Sequence, residues 1–258
     1  MITQPSPFHR VAVLAYSILA YASFLVSFAY AIGFMGGFLV PRSLDSAPTR
    51  AVGPALLINA ALLIVFALQH SVMARPAFKR MLTRYIPESA ERATYVLMSS
   101  VALGLVFWLW EPMGGEVWHV QSPLWRGLLY AGYAAGLALV FVATLMLNHF
   151  DLFGLRQAWK HFRQERYVPL KFATPGLYRY IRHPLYLGWI TSFWCVPTMS
   201  VAHLLFAVMT TAYIFAAVQL EENDLIAVHG AEYLDYARKT PMLVPNLARR
   251  VEEDAHQL

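Results

Sequence analysis

Four long apolar runs restrict what this chain can fold into more than any other feature of its sequence. Crossing a bilayer as a helix takes about 17–25 residues, and in lipid the backbone must satisfy its hydrogen bonds within the segment. The first run is far longer than the apolar stretch of about 7–15 residues in a secretory signal, so we interpret it as a membrane anchor. Four transmembrane helices are predicted, at residues 11–40, 52–69, 94–110 and 124–147.

A fifth apolar region, residues 185–220, is too long for one crossing. Pro197, Ser200 and His203 interrupt it near its middle. Because proline removes a backbone donor and clashes with the preceding turn, we predict a helical hairpin here. A hydrophobic share of 58%, above the roughly 45–50% of soluble domains, agrees with a membrane protein. The predicted fold is all-α and integral to the membrane, with four transmembrane helices plus a C-terminal helical hairpin, giving five or six membrane segments in a single domain over residues 1–258.

The charged residues indicate the orientation of these helices. Lysine and arginine are enriched on the cytoplasmic side of membrane proteins, and here they concentrate in the loops after the second and fourth spans. The loop after the third span instead carries Glu111 and Glu116. We therefore place both basic loops and both termini in the cytoplasm, with the protein in the bacterial inner membrane, and attribute the net charge of +5 to topology and not to nucleic-acid binding. The basic loops contain Arg75, Lys79, Arg80, Arg84 and Arg92, and Arg156, Lys160, Arg163, Arg166, Lys171, Arg179 and Arg182.

Within the second basic loop, residues 155–164 have the pattern of a helix that lies at the membrane surface. Leu155, Trp159 and Phe162 recur at helical spacing, and basic side chains stand between them. An amphipathic helix resting on lipid headgroups is the favoured interpretation, and a ligand site is the alternative.

The segment GLYRYIRHPLYLGW, residues 176–189, brings polar side chains to the border of the predicted hairpin. Pro184 restricts His183 to an extended conformation and can occupy the first turn of the next helix. Taken singly, these features also fit an interface border, with arginines reaching the headgroups and tyrosines in the aromatic belt. Polar groups in a membrane are nevertheless functional candidates, because they are costly to keep there.

A second polar segment, EENDLIAVHGAEYLDYARKTPMLVP, closes the hairpin at residues 221–245. It begins with two adjacent carboxylates, Glu221 and Glu222. Such a pair at a helix end is often solvated or caps the helix. Here the pair precedes a G-x-x-Y-x-x-Y run and a tail with two prolines, formed by Gly230, Tyr233, Tyr236, Pro241 and Pro245.

Together the two segments resemble the signature of the integral-membrane methyltransferases related to isoprenylcysteine carboxyl methyltransferase and phosphatidylethanolamine N-methyltransferase. The resemblance implies an S-adenosyl-L-methionine site formed by about residues 147–245. A cofactor with an ammonium group, a sulfonium and ribose hydroxyls needs hydrogen-bond acceptors nearby, and the acidic pair supplies them. The residues implied to bind the cofactor are Tyr178, His183, Tyr186, Leu187, Gly188, Glu221 and Glu222.

Two other classes of enzyme lack support in the sequence. No G-x-G-x-x-G follows a predicted strand, which excludes the cofactor site of a soluble Rossmann methyltransferase. The sterol reductases of the same architecture, which use NADPH, typically have an asparagine between the proline and the tyrosine and an acid after the glycine. This chain has Leu185 and Trp189 at those positions, so methyl transfer is favoured over hydride transfer.

The segment LNHFDLFGLRQAW, residues 147–159, together with ALQHSVMARPAFKR at residues 67–80, resembles one branch of this superfamily, the bacterial methanethiol S-methyltransferases. The resemblance implies a small volatile thiol, methanethiol, as the substrate and dimethyl sulfide as the product. Two rivals stay open. One is a methyltransferase acting on an isoprenylcysteine carboxylate or a lipid amine, and the other is a non-catalytic membrane protein associated with nitric-oxide reduction, which shares the QHSVMARP-like region and an RHP motif.

Methylation of a thiol is helped by a base, because the thiolate reacts and even a cysteine thiol has a pKa of about 8.5. The candidates are His70, and His149 with Asp151, since a carboxylate would hold the imidazole in a useful tautomer. In the structural alternative, Asn148 and Asp151 only cap helices. No metal is predicted, because no two histidines are spaced i, i+4, and the sequence leaves the oligomeric state open.

Overall fold

The computed structural model describes residues 6–244, so Pro245 of the second polar segment and both chain termini lie outside the described residues. Within that range the chain forms ten α-helices, a 3-10 turn and two short strands. In chain order they are α1 Pro7–Gly36, α2 Val52–Ala74, α3 Pro76–Leu82, α4 Glu88–Leu109, β1 Glu116–His119, α5 Pro123–Met146, α6 His149–Leu152, α7 Leu155–Phe162, the 3-10 turn Gly176–Arg179, α8 Pro184–Trp194, β2 Thr198–Ser200, α9 Val201–His229 and α10 Ala231–Lys239. Five of these, α1, α2, α4, α5 and α9, are long and apolar enough to cross a membrane, which confirms a multi-pass, all-α membrane protein.

The four predicted spans are confirmed, but their ends differ from the apolar runs. The α1 helix starts at Pro7 because Ser6 caps it and accepts a hydrogen bond from the backbone of His9 at 3.2 Å. It ends where Gly37 adopts a left-handed conformation with φ of 73°, a geometry that favours glycine. The α2 helix continues to Ala74, five residues beyond the predicted end. The residues at which a helix begins and ends depend on local capping. The apolar run indicates only the part of the helix that lies in lipid.

The C-terminal hairpin is also confirmed, and its first arm is only partly helical. The α8 helix has 11 residues, a length of about 16 Å, which is shorter than the hydrocarbon core of about 30 Å. Residues 195–200 continue in a largely extended form through β2 to the start of α9. Ser200 then caps α9 by accepting a hydrogen bond from the backbone of His203 at 3.1 Å. Pro197 lies in the extended part, where its missing donor does no harm.

The bundle has two distinct ends. We call the end with β1 and β2 the ribbon face, where these strands pair antiparallel with Glu116 opposite Ser200. The opposite end, which we call the basic face, carries the starts of α1 and α8 and the end of α9. There Arg10, near the start of α1, donates to the carbonyl of Phe162 at the end of α7 at 3.1 Å. The all-α prediction did not include the small ribbon of β1 and β2, which lies at the ends of α4, α5 and α8.

Two glycines set close approaches in this bundle. A Cβ on Gly188 would lie 2.7 Å from the carbonyl oxygen of Gly136, so α5 and α8 pack backbone to backbone, as small residues allow in membranes. Gly154 has φ of 86°, and a Cβ there would lie 2.8 Å from the backbone nitrogen of Ala93. Gly154 joins α6 to α7 and packs against α4. The α7 helix is the amphipathic helix predicted at residues 155–164. The contact of α7 with lipid headgroups stays a prediction.

A buried hydrogen bond joins the loop after α1 to α9 at the ribbon face. His203 is fully buried, and its Nδ1 lies 2.9 Å from Oδ2 of Asp45. The other carboxylate oxygen of Asp45 accepts a hydrogen bond from the backbone of Ser200 at 3.0 Å. Burial alone would raise the pKa of Asp45, but the hydrogen bonds from His203 and Ser200 outweigh it and hold the pKa below its usual value.

We expect Asp45→Ala to lower the free energy of unfolding by about 1–3 kcal/mol, because it leaves a buried histidine without its partner. The lowered pKa of Asp45 means that this stabilisation is present above the unfolded-state pKa of about 4 and is lost as the pH falls further. Thermal unfolding in detergent at neutral and acidic pH measures both effects. Glu116→Ala, an exposed carboxylate on the same face, is the control, and an equal loss in that variant would contradict the assignment.

Candidate functional site

The RHP motif and the acidic pair meet at the basic face. Oε1 of Glu222 accepts two hydrogen bonds, from Nε of Arg182 at 2.7 Å and from Nε2 of His183 at 2.9 Å. The side chains of Arg182 and His183 are 14% and 6% exposed. Charge-assisted hydrogen bonds in such surroundings are strong and directional. The two segments that the sequence singled out therefore form one network.

The C-terminal tail binds along the RHP motif. The backbone nitrogens of Arg182 and His183 donate to the carbonyls of Pro241 and Met242 at 2.9 and 3.1 Å. Nη1 of Arg182 also donates to the carbonyl of Thr240 at 2.5 Å. His183 can pair in this way because it is the residue before α8 and is not helical, with φ of −127°. The tail thus holds the backbone of the motif, while Glu222 binds its side chains.

The other acid, Glu221, pairs with the first turn of α8. Tyr186 donates its hydroxyl to Oε2 of Glu221 at 2.7 Å, and its ring stacks on His183 with centroids 5.4 Å apart. The carbonyl of Tyr178 accepts a hydrogen bond from Tyr236 at 2.5 Å. Burial, followed by the charge of Glu221, raises the pKa of the Tyr178 phenol, and burial raises the pKa of Tyr236 to about 12. Both phenols stay neutral at physiological pH and can donate hydrogen bonds.

The predicted cofactor residues therefore separate into two groups. Tyr178, His183 and Tyr186 are gathered around the acidic pair. Gly188 is turned toward α5, so its close approach is to a neighbouring helix. Leu187 is partly exposed in the first turn of α8. The acidic pair supplies carboxylate acceptors, and the first group surrounds it with aromatic rings. A cationic cofactor with hydroxyl groups requires this combination.

His70 lies inside α2 and faces α4. Its Nε2 lies 2.7 Å from the hydroxyl of Tyr95, and its Nδ1 lies 3.1 Å from the hydroxyl of Ser99. The ring stacks on Phe66 with centroids 5.5 Å apart. His70 is therefore held by two hydroxyl groups of α4.

His149 and Asp151 are bonded to different partners. His149 is 5% exposed, and its Nε2 and Nδ1 lie 2.7 and 2.8 Å from the hydroxyls of Tyr21 and Thr144. Burial lowers its pKa. Asp151 accepts from Nη1 of Arg156 at 2.8 Å and from the hydroxyl of Tyr167 at 3.1 Å. The histidine–carboxylate pair that the sequence suggested does not form here.

Asn148 has the capping role that the structural alternative gave it. It has a left-handed conformation with φ of 67°, and its side chain accepts a hydrogen bond from the backbone of Asp151 at 3.3 Å. The turn between α5 and α6 thus explains the asparagine of the NHFDLFGLRQ segment without reference to chemistry.

Positive charge lies beside the acidic pair as well. Arg75 forms an ion pair with Asp224 at 2.8 Å and donates to the carbonyl of Leu220 at 3.0 Å. Burial, together with the nearby Arg92, lowers the pKa of Lys79. The site therefore offers cations as well as carboxylates. Among residues 6–244, no three His, Cys, Asp or Glu side chains are placed to hold a metal ion.

Comparison with known proteins identifies the family. The family model described as NnrU protein matches residues 58–240, which include the RHP motif and the acidic pair. The chain belongs to the NnrU family.

Relatives of this NnrU protein include enzymes with a named activity. The methanethiol S-methyltransferase of Crocosphaera subtropica is 50% identical over 93% of this chain and 94% of its own. The methanethiol S-methyltransferase of Mycobacterium tuberculosis is 48% identical over 92% of this chain and 97% of its own. Nurim from Mus musculus is 29% identical over 80% of this chain and 87% of its own. No solved structure matches the chain.

The sequence did not single out several polar residues that contact His70 or its neighbour Ser71. Tyr95, Ser99 and Tyr213 lie within apolar helices, and Ser71 bonds the hydroxyl of Tyr213 at 3.0 Å. A signal existed, because Tyr95 and Ser99 are four residues apart and share one helix face. Arg75 was interpreted only as a topology signal, although it also pairs with Asp224.

Proposed function

We propose that this protein transfers a methyl group from S-adenosyl-L-methionine to methanethiol and releases dimethyl sulfide. The names of relatives that are 44–50% identical over most of the chain support this reaction. The observation that carries the proposal is the network in which one oxygen of Glu222 binds both Arg182 and His183, while Glu221 binds Tyr186.

The residues around the acidic pair fit the cofactor. When bound, S-adenosyl-L-methionine supplies a methyl group activated by its positive sulfur. Glu221 and Glu222 accept hydrogen bonds from its ammonium or ribose hydroxyls, and Tyr178, His183 and Tyr186 enclose it with aromatic faces. Leu187 contributes an apolar wall. Gly188 acts indirectly, because its contact with α5 fixes the position of α8.

His70 is the base of the proposed reaction. The proton of the thiol passes to the oxygen of Tyr95 as Tyr95 gives its own proton to Nε2 of His70, and Nδ1 of His70 donates to Ser99. The thiolate sulfur then forms the bond to the methyl carbon, and the electron pair of the broken carbon–sulfur bond stays with the donor. His149 and Asp151, which have separate partners, hold α6 against its neighbours in this scheme.

The reaction takes place at the basic face, which is the cytoplasmic face of the bacterial inner membrane. The bias of lysine and arginine toward the cytoplasm supports this orientation. The start of α1 and the whole of α10 lie at the same end of the bundle, so both termini are cytoplasmic. A charged cofactor then reaches the site from water and not through lipid.

Purified protein given S-adenosyl-L-methionine and methanethiol should produce dimethyl sulfide, measured by headspace gas chromatography. Product formation should be lost in His183→Ala, because that side chain is buried against Glu222. Parallel assays offer a prenylated cysteine and a lipid amine as acceptors. Methylation of either acceptor without formation of dimethyl sulfide would contradict methanethiol as the substrate. A protein that does not bind the cofactor at all would contradict the assignment as a methyltransferase.

A further inference from the structure

A groove opens between α2 and α9 on the side of the bundle that faces lipid. Its volume is about 290 Å³. Small side chains leave this space, since three of the lining residues are alanines. The lining comprises Leu63, Ile64, Phe66, Ala67, Met209, Thr210, Ala212, Tyr213 and Ala216.

The groove is apolar and lies near the middle of the membrane. Leu63 is the central residue of α2, which extends over Val52–Ala74. The hydroxyl of Thr210 is bonded back to the carbonyl of Phe206 at 2.6 Å, so this residue adds little polarity. Ile64 is 49% exposed at the outer edge. The opening thus faces the hydrocarbon core, where small apolar solutes concentrate and charged ones do not.

The inner wall of the groove is part of the candidate site. Phe66 lines the groove and stacks on His70. Tyr213 also lines it, and its hydroxyl lies 3.0 Å from that of Ser71, the residue after His70. The rings of Phe66 and Tyr213 meet edge to face with centroids 6.5 Å apart. A small molecule in the groove is therefore separated from His70 by a single layer of side chains.

We propose that this groove is the entrance through which the neutral thiol reaches the site from the bilayer. The inference rests on the proposed function and adds the route of the substrate. Methanethiol is small, uncharged and apolar, so lipid concentrates it, and the groove is apolar and large enough to admit it. Phe66 and Tyr213 form the gate, since a rotation of either ring joins the groove to His70. The charged cofactor uses the basic face, so the two reactants arrive by separate routes.

Filling the groove should raise KM for methanethiol without changing the chemistry. Ala216→Phe and Ala67→Phe place a ring in the opening, and we expect KM to rise about tenfold, as an overpacked apolar site predicts. The turnover number at saturating thiol and the Kd for S-adenosyl-L-methionine should stay within about twofold, because neither residue touches the acidic pair. Ala67→Leu, a smaller change, should give an intermediate KM. The measurements are steady-state kinetics in vesicles and cofactor titration.

Ala61→Phe is the matched control. It makes the same change on α2 at an exposed alanine outside the groove, on the opposite side by helical spacing. Thermal unfolding checks that Ala67→Leu and Ala216→Phe are folded. An unchanged KM in these folded variants would contradict the groove as the entrance of the thiol, but not the proposed methyl transfer. Wild-type protein that binds the cofactor but forms no dimethyl sulfide would instead overturn the proposed function.

Discussion

Glu222→Ala should abolish binding of S-adenosyl-L-methionine. The substitution removes the acceptor for Arg182 and His183, both of which are largely buried. Hydrogen bonds to charged groups contribute about 1.5–3 kcal/mol each, so the loss of the contact between this carboxylate and the cofactor, together with the displacement of its two neighbours, should lower affinity by roughly 100-fold or more. Isothermal titration with the cofactor measures this directly, and turnover should fall below detection with it.

Glu232→Ala is the control for that experiment, because Glu232 is an exposed carboxylate in the following helix. We expect wild-type affinity in this variant. Glu222→Gln keeps an acceptor but loses the charge, and its affinity should fall between those of the alanine variant and the wild type. If folded Glu222→Ala bound the cofactor with wild-type affinity, the acidic pair would have no part in the cofactor site.

His70→Ala should lower the turnover number by about 10²–10⁴-fold, the range expected when a general base is removed. The effect should come with little change in cofactor affinity, since His70 bonds Tyr95 and Ser99 and not the acidic pair. The rising limb of the pH profile of kcat/KM should also move to higher pH, because the thiol must then ionise in solution and does so only near its own pKa, which is about 8.5 even for a cysteine thiol. Tyr95→Phe should show the same loss, as it breaks the path of the proton.

The comparison with His149→Ala distinguishes the two candidate bases. His149 bonds Tyr21 and Thr144 within an aromatic cluster, so its removal should lower the melting temperature more than the turnover number. His119→Ala, at the exposed ribbon, should change neither. If His149→Ala lowered the turnover number by about 10²–10⁴-fold and His70→Ala left it unchanged, His149 and not His70 would be the base.

The membrane spans were predictable because hydrocarbon imposes a length and a composition on any crossing helix. That constraint acts on each segment separately, so it is visible in the sequence. The exact ends were less predictable. Ser6 and Gly37 fix α1 through capping, and capping depends on backbone conformation more than on apolarity. The hairpin was predicted from Pro197, although the extended half of its first arm was not.

The candidate site was predictable as two motifs and not as a geometry. Glu222 and His183 were singled out by the cost of polar groups near lipid together with the resemblance of both segments to a family signature. That they share a hydrogen bond, and that Gly188 faces α5 instead of the acidic pair, required the packing of α8 between its neighbours. The same packing separated His149 from Asp151 by giving each of them other partners.

The sequence by itself determined the class of protein and four of the long spans, and its resemblance to a family indicated the residues near which chemistry is expected. The class and the spans follow from local physics, namely hydropathy, charge and the cost of burying polar groups. Only the tertiary structure decided which candidates meet, since Glu222 of α9 binds Arg182 and His183 before α8, and Tyr95 of α4 binds His70 of α2. It also formed the groove between α2 and α9. Contacts between distant segments depend on how whole helices pack, and no single segment encodes that arrangement.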